Sequence, residues 1–146
     1  MGGEIADKGM IVVVQCDQVV HQVVHQVCAG FLCEHAFTAR TGGFARYPAE
    51  QKLRYTAMSC GGCPGRPVLR KLMNLKHNLK KRESLTPDFA VVHLSTCITR
   101  SSHHGPRCPH IDYIKGQVAR AGFDCVEDSR LSDLAIRRRA EGMYAD

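Results

Sequence analysis

The sequence predicts an α/β fold: a short parallel sheet of about four strands with helices on both faces, in the flavodoxin-like order 2-1-3-4. Three observations predict it. Apolar runs of strand length alternate along the chain with longer runs at helical spacing. The first run, Met10–Gln15, is continuously apolar, as in a central strand buried on both faces. The resulting order βαβαβαβα, joined by right-handed crossovers, leaves few topologies.

Each element has its own signal. After the first strand, Ala29, Leu32, Cys33, Ala36 and Phe37 share a helical spacing, which predicts a helix over 29–45 ending near Gly42-Gly43. Residues 53–59 read as the second strand, with weaker alternation. Residues 67–82 give the clearest helix. Pro67 suits its first turn, and Val68, Leu72, Leu75 and Leu79 make one apolar stripe. Arg70, Lys71, Lys76, Lys80 and Lys81 occupy its other face. Residues 89–95 (Phe-Ala-Val-Val-His-Leu-Ser) form a third buried strand. Ile111, Ile114, Val118 and Ala121 share one face of a helix over 109–121, and Gly122 introduces a fourth strand over 123–127. Ser132-Asp133 caps a last helix running to about residue 141. Between the first strand and first helix, Val-Val-His-Gln occurs twice, carrying His21 and His25. Its period fits neither helix nor strand cleanly, and it reads as structural.

The 146 residues suit one domain, with 1–9 as a flexible N-terminus and 10–146 as the folded unit. Hydrophobic content of 44% without Trp implies a core of Val, Leu, Ile, Ala and Met. Met1-Gly2-Gly3-Glu4 lacks the basic start of a signal peptide, and no apolar run has membrane-spanning length. The expected location is the cytoplasm, with no membrane partner. The net charge of +6 permits weak attraction to anions. No basic stripe interleaved with aromatics accompanies it, so no nucleic-acid partner is expected. Arg137-Arg138-Arg139 and the basic helix face read as solvated charge before they read as a docking surface for an acidic protein.

The eight cysteines carry the chemistry. In a reducing compartment they favour metal binding or redox use over disulfides. Their placement is not scattered. Cys16 follows the first strand, Cys60 and Cys63 the second, and Cys97 and Cys108 the third. In a parallel sheet those ends share one edge. Cys28 and Cys33 fall in the loop and first turns after the first strand, near the same edge. Cys125 lies inside a strand and reads as a core residue. In Cys60-Gly61-Gly62-Cys63-Pro64-Gly65, two intervening residues let both sulfurs face one ion. The helix that starts near Pro67 favours the thiolate form. His103, His104 and His110, around Cys108, are capable ligands, and a plain polar loop accounts for them equally well.

These segments resemble the CGGC-domain family. The resemblance is carried by Val12-Val13-Val14-Gln15-Cys16, Cys28-Ala29-Gly30-Phe31-Leu32-Cys33, Cys60-Gly61-Gly62-Cys63-Pro64-Gly65, His93-Leu94-Ser95-Thr96-Cys97-Ile98 and Cys108-Pro109-His110. It spans about residues 10–144. It implies a metal-binding domain whose characteristic thiols are Cys16, Cys28, Cys33, Cys60, Cys63, Cys97 and Cys108. The chain departs from the family where many members have Gly-Thr after the last strand. Here Asp128-Ser129 stands, which puts a ligand contact from that turn in doubt.

The leading expectation is a metal-binding protein that uses these clustered thiolates for an iron–sulfur cluster or zinc. Its role would be electron transfer, redox sensing or metal handling, with a redox partner protein if a cluster is held. The cysteine set exceeds the four ligands of one structural zinc, which tilts the choice slightly toward iron–sulfur. The alternative is a thiol-based redox enzyme, or one resembling phosphatases and arsenate reductases, using Cys60 and Cys63 with Arg66. Cys60 and Arg66 have the Cys-x5-Arg spacing of a phosphate-cradling loop, but a second cysteine and a following proline fit that loop poorly. The sequence names no general base, so whether the protein is an enzyme stays open.

Overall fold

A computed structural model describes residues 7–21, 28–102 and 105–144. Four strands, β1 (Met10–Gln15), β2 (Arg54–Ser59), β3 (Ala90–Leu94) and β4 (Asp124–Glu127), form one sheet in the order β2-β1-β3-β4. Every pairing is parallel. The helices are α1 (Asp17–Val20), α2 (Phe31–Ala39), α3 (Pro67–Glu83), α4 (Thr96–Thr99), α5 (Ile111–Ala121) and α6 (Asp133–Ala140). The predicted fold class and strand order are the observed ones.

Alternation along the central strands divides the core in two. All of β1 is buried. Met10, Val12 and Val14 join a cluster with Val68, Leu72 and Leu79 of α3 and Ile114 and Val118 of α5. Ile11 and Val13 face the other way, toward Ala36 and Phe37 of α2 and Phe44 and Tyr47 beyond it. A strand covered on both faces is apolar along most of its length, which is why β1 reads as an unbroken run from Met10 to Val14. Burying each such side chain contributes about 1.5–3 kcal/mol.

Helix α2 stops at Ala39, six residues short of the expected 45. Arg40 takes a left-handed φ of 56° and ends it. Its guanidinium donates to the carbonyls of Phe37 (2.6 Å) and Gln51 (2.9 Å) and sits over the Phe37 ring. A 3-10 turn at Gly42–Phe44 follows. It brings Phe44 and Tyr47 against His93 of β3, with ring centroids 4.7 and 5.5 Å away. His93 is fully buried. Its Nδ1–H donates to the Asp128 carbonyl at 2.8 Å, so Nε2 accepts from the Tyr47 hydroxyl at 2.7 Å. Burial pushes His93 down to about 4, which keeps the ring neutral.

The sequence expectation contained neither α1 nor α4. Each has four residues, too few to show a period. Ser132 caps α6 by accepting the Ala135 N–H at 3.0 Å, as predicted. Among the described residues, no helix is long and apolar enough to cross a membrane. Residues 22–27, which include His25, and residues 103–104, which are His103 and His104, lie outside the described residues.

Candidate functional site

The parallel register builds the site. Gln15 pairs with Ser59 and Val14 with Leu94, so the residues that follow β1, β2 and β3 emerge side by side at the carboxyl edge. Cys16, Cys60 and Cys97 are among them. The turn after β1 lies between the other two. Its Cys16 N–H donates to Cys97 Sγ at 3.3 Å, and its Asp17 N–H donates to Cys60 Sγ at 3.4 Å.

The loop after β2 is held from below. The Ser59 hydroxyl donates to Asp17 Oδ1 (2.9 Å) and accepts the Gly61 N–H (3.1 Å). Lys71 Nζ of α3 donates to the Ser59 carbonyl at 2.8 Å. Gly61 has φ 80°, and a Cβ there would lie 2.4 Å from Pro67 Cγ. Gly62 has φ 110° and open space around it. The Cys63–Pro64 bond is cis. Cys60 is buried, whereas Cys63 is exposed. Arg66 is exposed at the head of α3.

Cys108 reaches the same region. Its N–H donates to the Ile98 carbonyl at 2.9 Å, and its sulfur accepts the His110 N–H at 3.3 Å. At this contact His110 therefore serves through its main chain. Burial raises the Cys108 thiol; Cys63 and Cys60 raise it further, against the His110 N–H and Arg107. Burial also raises Cys16, opposed by the N–H groups of Val19 and Gln18, with Cys60 and Cys108 adding to the rise. Cys16, Cys60, Cys63 and Cys108 thus form one electrostatic neighbourhood.

Cys28, Cys33 and Cys97 line a cavity of about 70 Å³ where the strand order reverses, between β1 and β3. The Cys28 N–H donates to the Val19 carbonyl at 2.8 Å, and the Cys28 sulfur accepts the Gly30 N–H at 3.3 Å. Cys33 Sγ meets Ser129 Oγ at 3.2 Å and Ser95 Oγ at 3.8 Å. Ser95 Oγ also meets Cys97 Sγ at 3.0 Å. Burial pushes Cys97 up to about 12, against the Ser95 bond and the Cys16 N–H. Ser129 is fully buried and exchanges bonds with Thr96, accepting its N–H at 3.1 Å. The turn that departs from the family pattern therefore still supplies a hydroxyl. Asp128 there has φ 77°, a conformation glycine adopts more easily. Its carboxylate binds the Arg100 guanidinium (2.8–3.1 Å) and the Thr99 hydroxyl (2.7 Å). Burial alone would raise Asp128, but these partners hold it below the usual carboxylate range.

Cys125, in β4, packs partly buried against the larger core and is pushed up to about 11 by burial, as a core residue would be. Among the described residues, no group of three or more His, Cys, Asp or Glu side chains is arranged to hold a metal ion. Sequence reasoning missed Asp17, Ser59, Ser95 and Ser129. The first three each stand within two residues of a strand-end cysteine, and that adjacency was the available signal.

The fold and the site define a cysteine-rich α/β protein with its thiols gathered at the carboxyl edge of a parallel sheet. The CGGC domain matches residues 10–130, and the chain belongs to the CGGC domain family. Comparison with curated proteins gives no match, and neither does comparison with solved structures.

Proposed function

We propose that the chain is a metal-binding protein in which Cys16, Cys60, Cys63 and Cys108 hold zinc or an iron–sulfur cluster. The observation that carries this reading is the convergence of these thiols on one edge, with the Asp17 N–H beside Cys16 donating to Cys60 Sγ and the Cys108 N–H tied to the Ile98 carbonyl after β3. Membership of the CGGC family supports it. The donor set fits such a metal by its chemistry, since four soft thiolates suit zinc and iron–sulfur centres alike. The side chains stand short of a closed ligand group, so binding draws them together. Cys63, exposed on a glycine-bearing loop, has the freest approach.

A cluster would supply electron transfer or redox sensing and call for a redox partner protein; zinc would supply a structural or metal-handling centre. The chain's own part is to deliver thiolates. Asp17 and His110 N–H groups already face two of the sulfurs, and at Cys108 that N–H opposes the rise imposed by burial. Metal and acid-labile sulfide, measured in protein purified without oxygen or a His tag, test the proposal. Iron with sulfide and broad absorption near ~400 nm marks a cluster. Colourless protein with stoichiometric zinc marks the other centre. Metal-free protein with reactive thiols would sink the proposal and favour dithiol chemistry of Cys60 and Cys63.

A further inference from the structure

The cavity between β1 and β3 is not accounted for by a metal held at Cys16, Cys60, Cys63 and Cys108. It lies at the point where open α/β sheets bind ligands. Its walls are largely apolar, from Val19, Leu32, Leu131 and Ala135. Among the described residues, its charged groups are of one sign. Arg130 and Arg139 line it with Gln15 and the hydroxyls of serines and Thr96, and among the described residues no acidic one does. Arg139 already donates to the Ser101 carbonyl at 2.9 Å. Arg130 is half-buried, with no hydrogen bond or ion pair to another described side chain. A guanidinium at an apolar cavity, lacking a carboxylate, leaves a place for an anion.

We propose that this cavity binds a small organic carboxylate with a short apolar body. The carboxylate meets the planar fork of Arg130, which presents paired donors suited to it. The body packs between α2 and α6, against Leu32 and Ala135. Cys28, Cys33 and Cys97 stand along the same lining, so the thiols report on occupancy.

Two experiments on the reduced full chain test this. The first compares alkylation of Cys28 and Cys97 by iodoacetate and by neutral iodoacetamide, followed by peptide mass mapping. In both reactions sulfur displaces iodide from carbon, so only the charge of the reagent differs. The rate ratio of the urea-unfolded chain gives the intrinsic preference of each thiol. Folding is expected to shift that ratio toward iodoacetate by roughly fivefold, the scale of one partly screened ion pair. Arg130→Gln is expected to remove the shift. The second needs no variant: butyrate slows iodoacetamide alkylation of these thiols, whereas butyramide does not. Equal ratios in folded and unfolded protein, or equal effects of butyrate and butyramide, would overturn the proposal.

Discussion

The thiols of the CGGC loop and those of the cavity share one sheet edge, yet they take hydrogen bonds from different groups. Around the loop, main-chain N–H groups meet sulfur, from Asp17 on Cys60 and from His110 on Cys108. In the cavity, hydroxyls do so, from Ser129 and Ser95 on Cys33 and from Ser95 on Cys97. Two cavity thiols also take a main-chain N–H, Cys97 from Cys16 across the edge and Cys28 from Gly30 beside it. An N–H only donates, so it favours a thiolate. A hydroxyl both donates and accepts, so it suits a protonated thiol equally well. The loop side thus meets its sulfurs with fixed donors, and the cavity side adds hydroxyls that serve either form of a thiol.

The sharpest way to break this contrast is to remove one thiol from each side. Cys63→Ser is expected to abolish stoichiometric metal binding with little change in folding, because Cys63 is exposed. Cys28→Ser is expected to leave the metal content unchanged. Elemental analysis of both proteins decides, and equal loss in the two would merge the groups into one site. Next in size is the loop backbone. Gly61→Ala combines a left-handed φ with a contact 2.4 Å from Pro67, and is expected to cost about 2–4 kcal/mol in urea denaturation. Gly62→Ala carries only the backbone penalty, about 1–2 kcal/mol. A reversed order would mean that the loop is not seated on Pro67.

Ser129→Ala tests the cavity side. It removes the acceptor of the Thr96 N–H and the partner of Cys33, which is expected to cost about 1–3 kcal/mol. Metal content is expected to stay at the wild-type level. Loss of metal in this variant would show that the cavity floor supports the loop side after all.

Much of this is legible in the sequence. The strand order followed from the unbroken run of β1 and the alternation of elements, and the thiol edge followed from the strand order. Long-range pairs left no such trace. Nothing near Tyr47 in the sequence signals that its hydroxyl meets His93, 46 positions away. The 3-10 turn that places it begins where a left-handed Arg40 ends α2, and arginine carries no propensity that announces this. The division of the thiols into two groups was equally hidden, because it depends on which hydroxyl or N–H each sulfur meets. Ser95 and Ser129 are 34 positions apart and meet only through the β3–β4 register.

The smallest expected effect concerns pH, and it tests whether folding keeps the Cys97 thiol protonated. Burial pushes Cys97 from 9.0 up to about 12. Between those values the unfolded chain has released a proton that the folded chain keeps. The stabilisation from the protonated thiol is whole below 9.0 and is lost as pH rises toward 12. One thiol accounts for at most about 1.4 kcal/mol per pH unit. Tyr47, pushed from 10.0 up to about 12 by burial, titrates in an overlapping window, so the thiol must be isolated by difference. Urea melts of metal-free wild type and Cys97→Ala, compared at about pH 8 and about pH 10, give that difference. The wild type is expected to lose more stability over the interval than the variant. Equal losses would mean that Cys97 ionises as readily folded as unfolded, and burial would then not hold this thiol back from a metal.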